Sequence, residues 1–151
     1  MSAIDHYLQR IILRGAEEAQ AEAGSTIEAQ HLLLAIAAEP DPVLAAAGLD
    51  RAAIRAALDT EFAHSLAAAG VDRAAFDLRS TPSPDRPNKV GASAKLALER
   101  GFAQAKRKKD LRPAHITLGV LLAEVGTVPR ALALAGIDRA GLTEQLSRQT
   151  A

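Results

Sequence analysis

Ile27-Glu28-Ala29-Gln30-His31-Leu32-Leu33-Leu34-Ala35-Ile36 and Leu111-Arg112-Pro113-Ala114-His115-Ile116-Thr117-Leu118-Gly119-Val120 are two versions of one segment. Each is followed by a second echo, Ala47-Gly48-Leu49-Asp50-Arg51-Ala52 and Ala135-Gly136-Ile137-Asp138-Arg139-Ala140. Two markers in the same order, at nearly the same separation, point to an internal duplication. The duplicated unit is helical and carries no catalytic constellation, which favours a binding module over an enzyme.

Working outward, the chain of 151 residues fits one domain, or two half-domains sharing one core. Hydrophobic residues make up 48% and aromatics only 3%, so the core is built from Ala, Leu, Ile and Val. Alanine favours helix, and the strand-type enrichment in Val, Thr and aromatics is missing. The expected class is all-α. With no cysteine, disulfides and thiolate metal sites are excluded. No signal peptide and no membrane-spanning stretch is visible, so the expectation is a soluble cytoplasmic protein.

Apolar spacing predicts the elements. A first helix runs from about Ala3 to Ala23 and stops at Gly24-Ser25. A second covers Ala29 to Ala38, and Pro40 and Pro42 break it. A short helix over Val43–Ala47 ends at Gly48. Asp50 caps the next helix, with Ile54, Ala57, Leu58 and Phe62 as its buried stripe. The second half repeats this grammar. A helix over Ala92–Lys109 places Lys106–Lys109 in its last turn. Pro113 opens the next, with Leu118, Leu121 and Leu122 inward. Val128–Ala135 is the second short helix, Gly136 its stop, and Asp138 the cap of the last helix. Residues 1–79 form repeat 1, the Pro-rich stretch 80–90 a linker, and 91–151 repeat 2. A partial echo at Ala69-Gly70-Val71-Asp72-Arg73-Ala74 reads as another Gly-stop and Asp-cap turn.

Net charge is zero but unevenly spread. Residues 1–79 hold twelve acidic and six basic side chains, and residues 80–151 the reverse. The plain reading is two repeats with different surfaces. The sharper one is a basic face on the second repeat for an acidic partner.

Candidate sites are few. His31 and His115 lack the companion ligands that zinc requires, so each is read as structural, its ring fixing the loop before it. Gly48 and Gly136 are likewise structural, and no metal or cofactor is expected. Ser25, Ser65, Ser80, Ser83, Ser93 and Ser147 lie outside any nucleophile elbow. Glu17 and Glu18 point in different directions on a helix and are read as solvated.

Together these features resemble the Clp N-terminal domain, the repeat domain that precedes the ATPase rings of Clp-type unfoldases. The two His-centred segments and the two Gly-apolar turns carry the resemblance, which covers about residues 3–149. It implies an all-α domain of about eight helices, arranged as two pseudo-twofold-related four-helix repeats. No phosphate loop is present, so the chain is not an ATPase of that kind. In the family this domain receives protein substrates, adaptors and peptide antibiotics. Some members hold phosphorylated arginine through the Glu before each motif His. Here those positions are Gln30 and Ala114, which supply no carboxylate. The family's aromatic-Thr-Pro-x-Ala-Lys segment reads Val90-Gly91-Ala92-Ser93-Ala94-Lys95, keeping only Ala94-Lys95. The implied binding surface therefore lies between the repeats, near Ile4, Gln30, Val90, Lys95 and Ala114. The expected partners are a Clp-type unfoldase, its adaptors or substrates, or peptide-like small molecules. The alternative is a nucleic-acid-binding helical regulator using the basic second half. A pI near 6.9 and a single Tyr argue against it.

Overall fold

The computed structural model describes residues 1–72, 82 and 84–151. Their regular structure is eight α-helices: α1 Ala3–Ala21, α2 Ala29–Ala38, α3 Pro42–Ala46, α4 Arg51–Ala68, α5 Ala92–Gln104, α6 Pro113–Leu121, α7 Thr127–Leu134 and α8 Arg139–Thr150. A 3-10 turn at Lys108–Asp110 precedes α6. Among the described residues the one strand-like feature is a parallel bridge between Ile27 and Val90.

The two motif segments become the centre of the molecule. In α2, Ala29 and His31–Ile36 are buried, and in α6 every residue from His115 to Leu121 is. A helix that is apolar all round must be wrapped on all sides. Each packs against the helix before it, α1 on α2 and α5 on α6. The outer helices then cross between halves: α4 packs on α7, and α3 on α8. Ile11, Leu32, Ile54, Ile116 and Leu132 are essentially sealed in the shared core. Each such side chain contributes about 2 kcal/mol of transfer free energy.

Glycine lets α5 and α6 approach closely. A Cβ on Gly119 would lie 2.2 Å from the Ala97 carbonyl oxygen and 2.6 Å from the Gly101 nitrogen. One on Gly101 would lie 2.8 Å from the His115 carbonyl oxygen. Gly15 faces the His31 backbone in the same way, so Gly15 and Gly101 mark equivalent points on α1 and α5. Turn chemistry matches as well. Gly48 and Gly136 share a φ of +73°. Asp50 accepts the Ala53 N–H at 2.8 Å, and Asp138 the Gly141 N–H at 3.0 Å.

Several expectations are corrected. The left-handed residue ending α1 is Ala23 at φ +58°, not Gly24, whose N–H instead closes back on the Ala19 carbonyl. A left-handed L-residue costs about 1 kcal/mol. Ala23→Gly is therefore expected to stabilise the fold by about 0.5–1 kcal/mol, read as a higher urea midpoint; a lower midpoint would refute this. Helix α5 ends at Gln104, so Lys106–Lys109 do not occupy its last turn. The Arg107–Asp110 ion pair and the Asp110 N–H bond to the Arg107 carbonyl fold them into a tight turn instead. Pro42 opens α3 beneath the Asp41 cap rather than merely breaking α2. Leu122 is only half-buried. Phe62 is 45% exposed because the face of α4 turned to α7 presents Glu61, paired with Arg130. Glu18 is buried, unlike exposed Glu17, because Arg51 and Arg14 both reach its carboxylate. Gly70 is left-handed after α4. Ser80, Ser83, the Arg73-Ala74 end of the echo and part of the 80–90 linker lie outside the described residues.

Candidate recognition site

The two motif histidines do the same job. The His31 Nδ1 accepts the Glu28 N–H at 2.9 Å, and the His115 Nδ1 accepts the Arg112 N–H at 2.9 Å. Nδ1 must be unprotonated to accept, so each ring carries its proton on Nε2. Each thereby ties the residue before the helix to the helix's first turn. Their outer nitrogens differ. The His31 Nε2 donates to Glu22 at 2.9 Å, and Glu22 also pairs with Arg55. Burial pushes the Glu22 carboxyl up, but His31 and Arg55 together hold it below the usual range. No carboxylate stands beside His115 in this way among the described residues, and burial pushes its pKa down.

The approach to α5 is locked onto the start of α2. The Ile27 N–H donates to the Lys89 carbonyl and the Gly91 N–H to the Ile27 carbonyl, both at 2.8 Å. The Ser93 hydroxyl accepts the Ala29 N–H at 2.8 Å and donates to Glu28 Oε1 at 2.7 Å. Thr26 donates to the other Glu28 oxygen. Burial raises the Glu28 carboxyl, yet these hydroxyls and the Ser93 N–H hold it below its ordinary value, so it stays ionised. A Cβ at position 91 would fall on the Glu28 carboxylate, so any larger residue there would have to displace that side chain from the clamp.

Beside this clamp a groove of about 290 Å³ opens between α2, α5 and the α6–α7 loop. Gln30, Ser93, Leu96, Arg100, Val125 and Arg130 line it. A second hollow, of about 330 Å³, adjoins it through Gln30 and Thr127 and reaches Phe62. Leu96 is 48% exposed and Val125 is 84% exposed, so the rim is apolar and open to solvent. Large apolar side chains gathered at one concave place mark an interaction surface better than scattered ones do. Among the described residues no cluster of three or more His, Cys, Asp or Glu could hold a metal ion. No helix of the described residues is long and apolar enough to cross a membrane.

Neither a family model nor a curated protein matches the sequence. Solved structures do match. One is the N-terminal domain of the caseinolytic protease associated chaperone ClpD from Arabidopsis thaliana, at a TM-score of 0.64 and 22% identity. The match covers 93% of this chain and 90% of that one.

The fold is that of a Clp N-terminal domain. At 22% identity the likeness extends to the backbone and not to the surface residues, which have to be read from this chain.

On this Clp-type scaffold the residues singled out from sequence fall in different places. Gln30 lines both hollows. Val90 is half-buried in the bridge with Ile27. Lys95 is exposed on α5, next to Leu96. Ile4 and Ala114 are half-buried against the core and outside the groove lining. The groove thus gathers one of the five directly. Sequence reading passed over Leu96, Val125, Arg100 and Arg130. Leu96 and Val125 are apolar positions that helical periodicity assigns no role, and only the packing shows them left over.

Proposed function

We propose that this chain is a non-enzymatic recognition domain. It binds extended protein or peptide segments in the groove between α2, α5 and the α6–α7 loop, in the setting of a Clp-type unfoldase, its adaptors or its substrates. The supporting observation is the open apolar rim of Leu96, Val125 and Phe62 around polar Gln30 and Ser93, on a Clp N-terminal fold. Apolar side chains of a ligand would fill the groove, while Gln30, Arg100 and Arg130 meet its backbone carbonyls. Lys95 and Val90 flank the groove. Ile4, in the first turn of α1, and Ala114, in the first turn of α6, lie outside the groove. Peptide-like small molecules fit the same description.

The test is a peptide array of unfolded-protein segments probed with the purified chain, followed by anisotropy titration of the strongest sequence. Leu96→Asp with Val125→Asp, both exposed, is expected to weaken binding tenfold or more while leaving the melting temperature unchanged. A chain that binds no peptide, or a double variant that binds as well as wild type, rules the proposal out.

A further inference from the structure

The two halves present the same structural edge in opposite electrostatic and pairing states. In the first, Ile27 precedes the N-cap Glu28 and is covered by the passing segment Lys89–Gly91. In the second, Leu111 precedes the N-cap Arg112 in the same way. Leu111 is extended at φ −67°, ψ 128° and is half-buried. Its N–H bonds the Lys108 carbonyl, but no described residue donates to its own carbonyl. Gly15 and Gly101 face the two motif histidines, so Asp5, ten residues before Gly15, corresponds to Gly91. The chain around Asp5 is wound into the capped first turn of α1 and cannot pair as Lys89–Gly91 does.

Charge reverses with pairing. The turn leading into α2 carries Glu22 and Glu28, both already satisfied. The turn leading into α6 carries Lys106, Lys108, Lys109 and Arg112, all exposed, none in an ion pair among the described residues. Elsewhere the arginines of the described first half, Arg10, Arg14, Arg51 and Arg55, are all paired. The acidic groups at the turn are Asp110, held by Arg107, and Asp5, which caps α1 with Ser2 and lies near Lys108. Lys106, Lys109 and Arg112, with Lys108 near Asp5, gather around one backbone acceptor that no described residue uses, a surface that selects both an extended backbone and negative charge.

We propose that this edge docks an extended acidic peptide segment. One N–H of the segment donates to the Leu111 carbonyl, as the Gly91 N–H does to that of Ile27. Its carboxylates meet Lys106, Lys108, Lys109 and Arg112. The inference rests on the recognition reading above but uses a different place, the second-half edge rather than the Gln30 groove. A protein segment is favoured over nucleic acid because the edge offers a backbone carbonyl that no described residue uses, which an N–H of an extended chain can fill.

The probe is a fluorescein-labelled decapeptide of alternating Glu and Val, titrated by anisotropy, with the same peptide carrying Gln for Glu as control. In parallel, amide shifts of the ¹⁵N-labelled chain are followed. The expected result is binding by the Glu peptide only, weakening at least tenfold between low and 0.5 M salt, with the largest amide shifts over 106–114. Lys108→Glu with Lys109→Glu is expected to weaken it at least tenfold at an unchanged melting temperature. Leu96→Asp with Val125→Asp leaves it intact, which separates this edge from the groove. No binding, binding indifferent to the lysine variants, shifts confined to 27–30 and 89–93, or tighter binding of a duplex DNA oligomer that the peptide fails to displace overturns the proposal.

Discussion

Gly119→Ala is expected to lower the midpoint of thermal unfolding by roughly 4–8 °C, although alanine is the better helix former. Propensity alone favours the substitution by about 1 kcal/mol. Geometry opposes it. The new methyl would stand 2.2 Å from the Ala97 carbonyl oxygen and 2.6 Å from the Gly101 nitrogen. Both are backbone atoms of α5, so no side chain can rotate away and the two helices have to separate. Overpacking of this kind costs about 3 kcal/mol, and in a domain of this size 1 kcal/mol corresponds to about 2–4 °C. The corresponding position four residues after the first motif histidine is Ala35, buried without difficulty, because α1 and α2 do not approach so closely there. Melting followed by circular dichroism decides the matter, and an unchanged or raised midpoint would show that the helices yield.

The second large effect is electrostatic. Arg51→Leu is expected to destabilise the chain by about 2 kcal/mol at pH 7, with a penalty that shrinks on acidification. Burial by itself raises the Glu18 carboxyl, but Arg51, bonding both of its oxygens at 2.7 Å, and Arg14 hold it below its ordinary value. Removing one partner of a buried ion pair costs about 3–5 kcal/mol. The lower figure applies because Arg51 is 40% exposed and Arg14 remains at 3.3 Å. In the wild type the folded pKa lies below the ordinary 4.5. The stability it confers is therefore complete above about 4.5 and is lost as pH falls through the lower folded value. In the variant, burial prevails and the carboxyl takes up its proton at higher pH, which relieves the penalty. Urea midpoints at pH 7 and pH 3.5 measure both; a gap between wild type and variant that stays constant with pH would contradict the argument.

The fold was legible because its signals are local and were written twice. Helical spacing around His31 and His115 located the central helices, and Gly and Asp in the echoes marked where neighbouring helices stop and start. Errors arose where a tertiary partner overrode a local rule. Glu18 looks like any surface glutamate until Arg51, far along the chain, is folded against it. Lys106–Lys109 suit a helix's last turn, but Arg107 and Asp110 close a tighter one. Ala23 takes the left-handed position that a glycine one residue later seemed made for. The candidate groove was less legible still. Its exposed apolar side chains become visible only once the helices are packed and the core positions are taken.

The crossing of α3 onto α8 and of α4 onto α7 has a consequence for how this molecule can come apart. Each half lends its short helix to a long helix of the other, so neither is a self-sufficient module despite the repeated text. The domain is therefore expected to unfold as a single cooperative unit, seen as one melting transition. Cleaving the backbone anywhere in 80–90 leaves two fragments that find order mainly by finding each other. The two halves read as copies in sequence, yet each leans on the other for its packing.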